Sequence, residues 1–259
     1  MDPAELLHYG SSFGAVAAAY AEHRPGYAQA AVRWALGGVP SPRVLDLGAG
    51  TGKLTAALVA LEAEVVAVEP DSAMLTELRR ALPTVRAFSS SAEAIPLPDA
   101  SFDAVLAGNA MHWFDMAVAG LEIARVLVPD GILAGLWNVV DDRVQWVAAL
   151  ERVSGRAAFG PRDTLSSWRA ATANLHLPGD GSVTHFGSPE QREFPHGQRR
   201  TADSLIATIA TRAGMLVMTE QEREGTLGRI GGFLASRPET AHGEFTLPML
   251  TGVLRVRRL

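Results

Sequence analysis

The chain contains no cysteine, which excludes disulfides and thiolate metal sites together. It also lacks a long apolar run. None reaches the ~18 residues that a membrane-spanning helix needs, so no membrane partner is expected. Positive charge is not in surplus: the net charge is -5, which leaves no basic footprint for a nucleic acid. Arg255, Arg257 and Arg258 do cluster, but they alternate with Leu254 and Val256, as the solvent face of a last strand would. The segment MDPAELLHYGSSFG has neither the basic start nor the apolar core of a secretory signal, so a cytoplasmic location is expected. His176, His185, His196 and His242 are dispersed without partners at fixed spacing, and no metal site is expected. What is present is the composition of a globular protein, 47% hydrophobic and 20% charged over 259 residues, enough to bury a large core.

The pattern along the chain divides at Arg43. Before it, FGAVAAAYA (13–21) and YAQAAVRWAL (27–36) read as helices separated by His23-Arg24-Pro25-Gly26. After it, short apolar strands alternate with helices. Strands are expected at Val44–Leu47, Glu64–Val68, Val85–Phe88, Phe102–Ala107 and Ile132–Trp137. Helices are expected at Leu54–Leu61, from an Asp71 cap to Leu82, and from an Asp115 cap to Leu127, with Pro129-Asp130-Gly131 as a turn. Such alternation implies an α/β fold, a parallel sheet covered on both faces by helices. Its ligands bind outside the carboxyl ends of the strands. Further on, 141–153, 202–213 and 220–236 read as helices. Residues 155–200 carry little periodicity, and the run Met215-Leu216-Val217-Met218 suits either core or the wall of an apolar pocket. Glu244–Arg257 reads as strand broken by Pro248 and Gly252, able to complete the sheet with an antiparallel hairpin. There is no internal repeat and no low-complexity linker, so one domain is expected.

The segment VLDLGAGTGKL (44–54) carries the chemistry. A nucleoside-triphosphate loop needs a hydroxyl after Gly-Lys and a glycine where Leu47 stands; here Leu54 follows Gly52-Lys53. A dinucleotide loop needs G-x-G-x-x-G, and Lys53 occupies the place of its third glycine. Asp46, two residues before Gly48, would moreover repel a pyrophosphate. S-adenosylmethionine, with its ammonium and sulfonium, suits an acid at that mouth. Glycine backbone admits its methionine portion closely, and Glu69, at the tip of the next strand, can accept from a ribose diol. A plain packing turn, with Asp46 as a solvated acid, is the bland alternative.

Taken together, VLDLGAGTGKL, VVAVEP (65–70), SSSAEAIPLPDASFDAVLAGNAMHWFD (89–115) and EIARVLVPDGILAGLWN (122–138) resemble the class I, Rossmann-like methyltransferases that use S-adenosylmethionine. SFGAVAAAYAEHRPGY (12–27) and NAMHWFD (109–115) are similar to the type 11 small-molecule group that includes trans-aconitate methyltransferases. The resemblance implies a doubly wound, mostly parallel seven-stranded sheet with an antiparallel C-terminal hairpin and N-terminal helices. It implies a single domain over 1–259, with a helical lid (1–42), a cofactor-binding core (43–140) and an acceptor insert with the last strands (141–259). Asp46, Gly48, Ala49, Gly50 and Gly52 would line the methionine portion. Glu69 would hold the ribose, with Pro70 and Met74 against the adenine and Ser91, Ala92 and Glu93 at its amino group. Ser91 stands where an aspartate is common. Asn109 and Ala110 would face the sulfur. Tyr20 and Arg24 would fold over the cofactor, Arg24 meeting a carboxylate. Tyr27, His112, Trp113 and Trp137 would meet the acceptor, His112 as general base or as an orienting residue. The expected reaction is methyl transfer to a small molecule, by a monomer or homodimer. The alternatives are a catalytically diverged protein of the same fold and an NAD-dependent oxidoreductase.

Overall fold

The computed structural model describes residues 16–173 and 185–259, and these form two compact units. The sheet unit comprises residues 26–137, 185–194 and 251–259; the second unit comprises 16–25, 138–173 and 195–250.

The elements of the cofactor segment fall close to their expected places. Helices α1 (Ala17–His23) and α2 (Gln29–Ala35) are separated by the Pro25-Gly26 break. Then come β1 (Arg43–Leu47), α3 (Lys53–Val59), β2 (Glu64–Val68), α4 (Ser72–Ala81), β3 (Arg86–Phe88), β4 (Phe102–Gly108), α5 (Met116–Val126) and β5 (Leu127–Val140). Asp71 caps α4 by accepting from the amides of Ala73 and Met74, and Asp115 caps α5 through Ala117. The chain continues with α6 (Gln145–Ser154), α7 (Leu165–Thr172), β6 (Glu190–Arg200), α8 (Ala202–Ala210), α9 (Ala213–Leu216), α10 (Glu220–Ala235) and β7 (Phe245–Arg257).

The seven strands lie in the order β3-β2-β1-β4-β5-β7-β6. The pairs β1–β2, β1–β4, β2–β3 and β4–β5 are parallel, and the last two strands form the antiparallel C-terminal hairpin expected of the Rossmann-like class. The order reverses between β1 and β4, so the carboxyl ends of these two strands open the crevice where ligands of such sheets bind. Val44, Leu54, Leu58, Leu106, Ile132 and Leu136 pack into one core with α2. The second unit has its own core, built from Trp146, Leu150, Phe159, Ile209, Ile230 and Leu247. Met215 is fully buried there and Met218 packs against the same core, whereas Val217 is exposed.

Three stretches differ from expectation. The Pro129-Asp130-Gly131 turn is absorbed into β5, where Phe102 pairs with Leu127 but Ala104 pairs with Ile132; Asp130, at φ +61°, takes up the extra residues as a bulge. Strand β6 lies in a stretch with no periodic signal. It is the last strand of the sheet, and most of its residues are at least partly exposed. An edge strand need not alternate, and it tolerates Pro195 and Gly197. Pro248 and Gly252, read as breaks, sit inside a continuous β7. Arg255 also departs from a purely solvated role: its guanidinium stacks 3.9 Å from the Trp34 ring and donates to the Trp34 carbonyl. His176 lies outside the described residues.

Candidate functional site

Asp46 is held at the centre of the sheet, paired with Ala67 on β2 and Leu106 on β4, and is fully buried. Its Oδ2 accepts from Thr55 Oγ1 at 2.6 Å. Its Oδ1 is buried and has no partner among the described residues. Burial drives its pKa from 3.8 to about 7, opposed by the Thr55 hydrogen bond and aided by the charge of Glu69. An orphaned carboxylate oxygen costs about 1–3 kcal/mol, a loss that a cationic partner recovers.

From Leu47 the chain turns sharply. The amides of Gly48 and Ala49 both donate to Val68 O, at 2.9 and 3.1 Å. Gly48 has φ +69°, and a Cβ there would lie 2.7 Å from Ala110 Cβ and 3.3 Å from Phe114. The loop and the tip of β4 are therefore pressed together, as only glycine allows. Gly50, at φ +57°, faces open space where its Cβ would be. Its amide donates to Glu69 Oε2 at 2.8 Å, and Asp71 N donates to Oε1 at 2.9 Å. Burial raises the pKa of Glu69, and the two amides partly offset it. A carboxylate has about four acceptor positions, so Glu69 keeps capacity for two further donors, as a ribose diol requires. Met74 and Ala92 are buried and Pro70 is exposed. Thr51, also in the loop, is buried with its hydroxyl unpartnered among the described residues.

The turn at 91–94 closes through Ala94 N to Ser91 O at 3.3 Å. Glu93 reaches out of it to accept from Asp115 N at 2.9 Å, which ties this turn to the loop after β4. That loop begins with Asn109 at φ +51°, its amide bound to Leu136 O at 2.7 Å. A left-handed residue other than glycine at a strand tip is a mark of functional sites. A short 3-10 turn, Met111–Trp113, follows. Within it Trp137 Nε1 donates to His112 Nδ1 at 3.3 Å, and the His112 and Trp113 rings lie 4.7 Å apart. Trp137 is buried, its ring lying over Gly135, where a Cβ would overlap it. The hydroxyl end of Tyr27 rests against Gly108 at the carboxyl end of β4.

The sheet unit thus brings together the residues expected around the glycine loop, the ribose acid, the 91–93 turn and the HWFD loop, with Tyr27 and Trp137. Tyr20 and Arg24 belong to the second unit. There the Arg24 guanidinium lies 4.8 Å from the Tyr20 ring and donates to Thr211 Oγ1 and O, at 3.1 and 3.2 Å. Sequence reasoning missed Thr55 and Thr51. Thr55 was within reach: it lies one turn into the helix that follows the loop, where a hydroxyl faces back to the strand tip.

Acids at two neighbouring strand tips, one with an unfilled oxygen and one with two acceptor positions left, suit a ligand with an ammonium at one end and a sugar diol at the other. The comparisons with known proteins agree. Residues 45–135 match the family model described as a methyltransferase domain. An uncharacterized methyltransferase of Mycobacterium tuberculosis is 39% identical over 245 residues, 94% of each chain. Another, of Schizosaccharomyces pombe, is 37% identical over 219 residues, 83% of this chain and 84% of its own. A solved structure from Anaeromyxobacter dehalogenans, provisionally named a type II methyltransferase, has 27% identity and a TM-score of 0.63, covering 91% of this chain and 97% of its own. The chain belongs to the class I methyltransferases, enzymes whose cofactor is S-adenosylmethionine.

Proposed function

We propose that this enzyme methylates an oxygen of a small acceptor that is already ionised, a carboxylate above all. The observation that carries the reading is the Trp137–His112 hydrogen bond. With Nδ1 accepting from the indole, the neutral imidazole keeps its proton on Nε2. In that tautomer His112 donates a hydrogen bond. It is suited to holding an anionic oxygen and poorly placed to deprotonate a neutral one. A carboxylate needs no base, being ionised at neutral pH.

S-adenosylmethionine supplies a methyl group already activated toward displacement. The chain's own work is then positioning and exclusion of water. Asp46 and Glu69 would hold the two ends of the cofactor, and Gly48, pressed against Ala110, would line the site of its methionine portion. Trp113 offers an aromatic face beside His112, favourable next to a sulfonium. His112 positions the acceptor. The negative net charge favours a small molecule over a nucleic acid as acceptor, as do the two segments similar to the trans-aconitate group.

Two measurements test this. Calorimetry with S-adenosylmethionine, S-adenosylhomocysteine and NAD is expected to show binding of both sulfur ligands and none of NAD. Transfer of labelled methyl to a panel of carboxylic acids and their amides is expected to give base-labile esters from the acids alone. Label found in hydroxyl or amine products instead would overturn the carboxylate assignment while leaving the cofactor in place.

A further inference from the structure

One corner of the second unit gathers guanidinium groups. Arg212, immediately after α8, is 9% exposed. Its Nη1 donates to Ala158 O and lies 3.3 Å from Asp163 Oδ2, and its guanidinium stacks 4.2 Å from the Phe159 ring. Its Nε is buried with no acceptor among the described residues. Arg200, at the end of β6, repeats this arrangement: Nη2 donates to His23 O at 2.7 Å and to Gln198 Oε1 at 2.6 Å, while its Nε is buried and unaccepted among the described residues. Two contacts draw these residues to one corner of the unit. Thr208 Oγ1 donates to the same His23 carbonyl that Arg200 uses, and Arg24, the next residue, donates to Thr211, the residue before Arg212.

The charges do not balance there. Arg24, Arg200 and Arg212 share the corner, Arg162 adjoins Asp163 in sequence, and Asp163 is the carboxylate paired with Arg212. Glu22 is largely exposed, beside His23. Burial lowers the pKa of Arg200 and Arg212; Asp163 opposes this for Arg212, and the nearby charge of Arg24 lowers both. A structural ion pair would account for Arg212 and Asp163 but not for Arg200, nor for two buried N–H donors left without acceptors. Each such donor costs about 1–3 kcal/mol, and one oxyanion answers donors of this kind with charge-assisted bonds.

We infer that Arg200 and Arg212, with Arg24 beside them, form a binding site for the oxyanion of a small molecule, a carboxylate or phosphate group. The site is argued from contacts within the second unit alone.

The test uses the whole chain, titrated with sodium succinate and, separately, with inorganic phosphate, while the arginine Nε–H resonances are followed by NMR. Saturable shifts of the Arg200 and Arg212 signals are expected, with the exposed Arg80 unmoved. The probe that saturates at lower concentration identifies the group, carboxylate or phosphate. Arg200→Gln is expected to weaken binding about tenfold while leaving affinity for S-adenosylhomocysteine unchanged, which also reports that the variant is folded. Arg212→Lys, which keeps the charge, serves as the second variant and is expected to weaken binding less. No saturable shift with either probe overturns the site. So do shifts shared equally with Arg80, an adventitious ion only, or affinities unchanged in both variants.

Discussion

In the sheet unit the buried charges are the carboxylates of Asp46 and Glu69; in the second unit they are the guanidinium of Arg212 and the buried Nε of the half-buried Arg200. Each set retains atoms that no described residue satisfies, and in both cases burial opposes the charged form. A fold keeps such groups at a cost of several kcal/mol, and the sign of the charge tells what would relieve it. The carboxylates suit the cationic head and the diol of S-adenosylmethionine; the guanidiniums suit an oxyanion. The sets also differ in how they are built. Asp46 and Glu69 are held by partners 9, 19 and 2 residues away, whereas the arginine corner is held by partners 54, 177 and 187 residues away.

The strongest way to break the contrast is to remove the carboxylates. Asp46→Ala and Glu69→Ala are each expected to lower affinity for S-adenosylmethionine about tenfold or more, by calorimetry, through lost charge-assisted hydrogen bonds. Near-wild-type affinity in both would mean that the sheet unit buries its acids for packing alone.

The next effect is on pH. Asp46 has its folded pKa raised from 3.8 to about 7, so between those values the unfolded chain has lost a proton that the folded one keeps. Its contribution to stability therefore falls as pH rises through that window and levels off above it. The ligand's ammonium favours the ionised form, so affinity for S-adenosylhomocysteine, which keeps that ammonium, should climb with pH, by up to about tenfold per unit below the folded pKa, and flatten above it. Asp46→Asn should abolish the slope. A flat profile in the wild type would show that Asp46 does not ionise on binding.

Gly48→Ala forces a side chain to φ +69° and into Ala110. It is expected to cost about 1–3 kcal/mol in denaturant unfolding and to weaken cofactor binding, with the arginine corner unaffected. The smallest change is Trp137→Phe, which keeps the ring over Gly135 but removes the donor to His112. A loss of about 1 kcal/mol is expected, together with a change in the His112 ring nitrogen shifts, which in the wild type should report the proton on Nε2. Wild-type shifts showing Nδ1 protonated would return His112 to consideration as a base.

Legibility followed sequence distance. The strand-loop-helix from Val44, the acid at the end of β2 and the Asp71 and Asp115 caps are local devices, and the structure places them within a residue or two of expectation. Strand β6 was unreadable because an edge strand need not alternate. The role of Trp137 was only half legible: it stood among the acceptor residues, but its bond to His112 crosses from one strand end to another loop.

By itself, then, the alternation of strands and helices from Arg43 implied the α/β class, and VLDLGAGTGKL with the other segments that resemble the family implied the methyl donor, because a strand tip, a glycine turn and a helix start are fixed by neighbours along the chain. Only the tertiary structure decided that Asp46 Oδ1 is buried without a partner among the described residues, that Trp137 donates to His112 Nδ1, and that Arg24, Arg200 and Arg212 share a corner. Each of these depends on desolvation or on hydrogen bonds between segments far apart in sequence, and neither leaves a periodic trace in the order of residues.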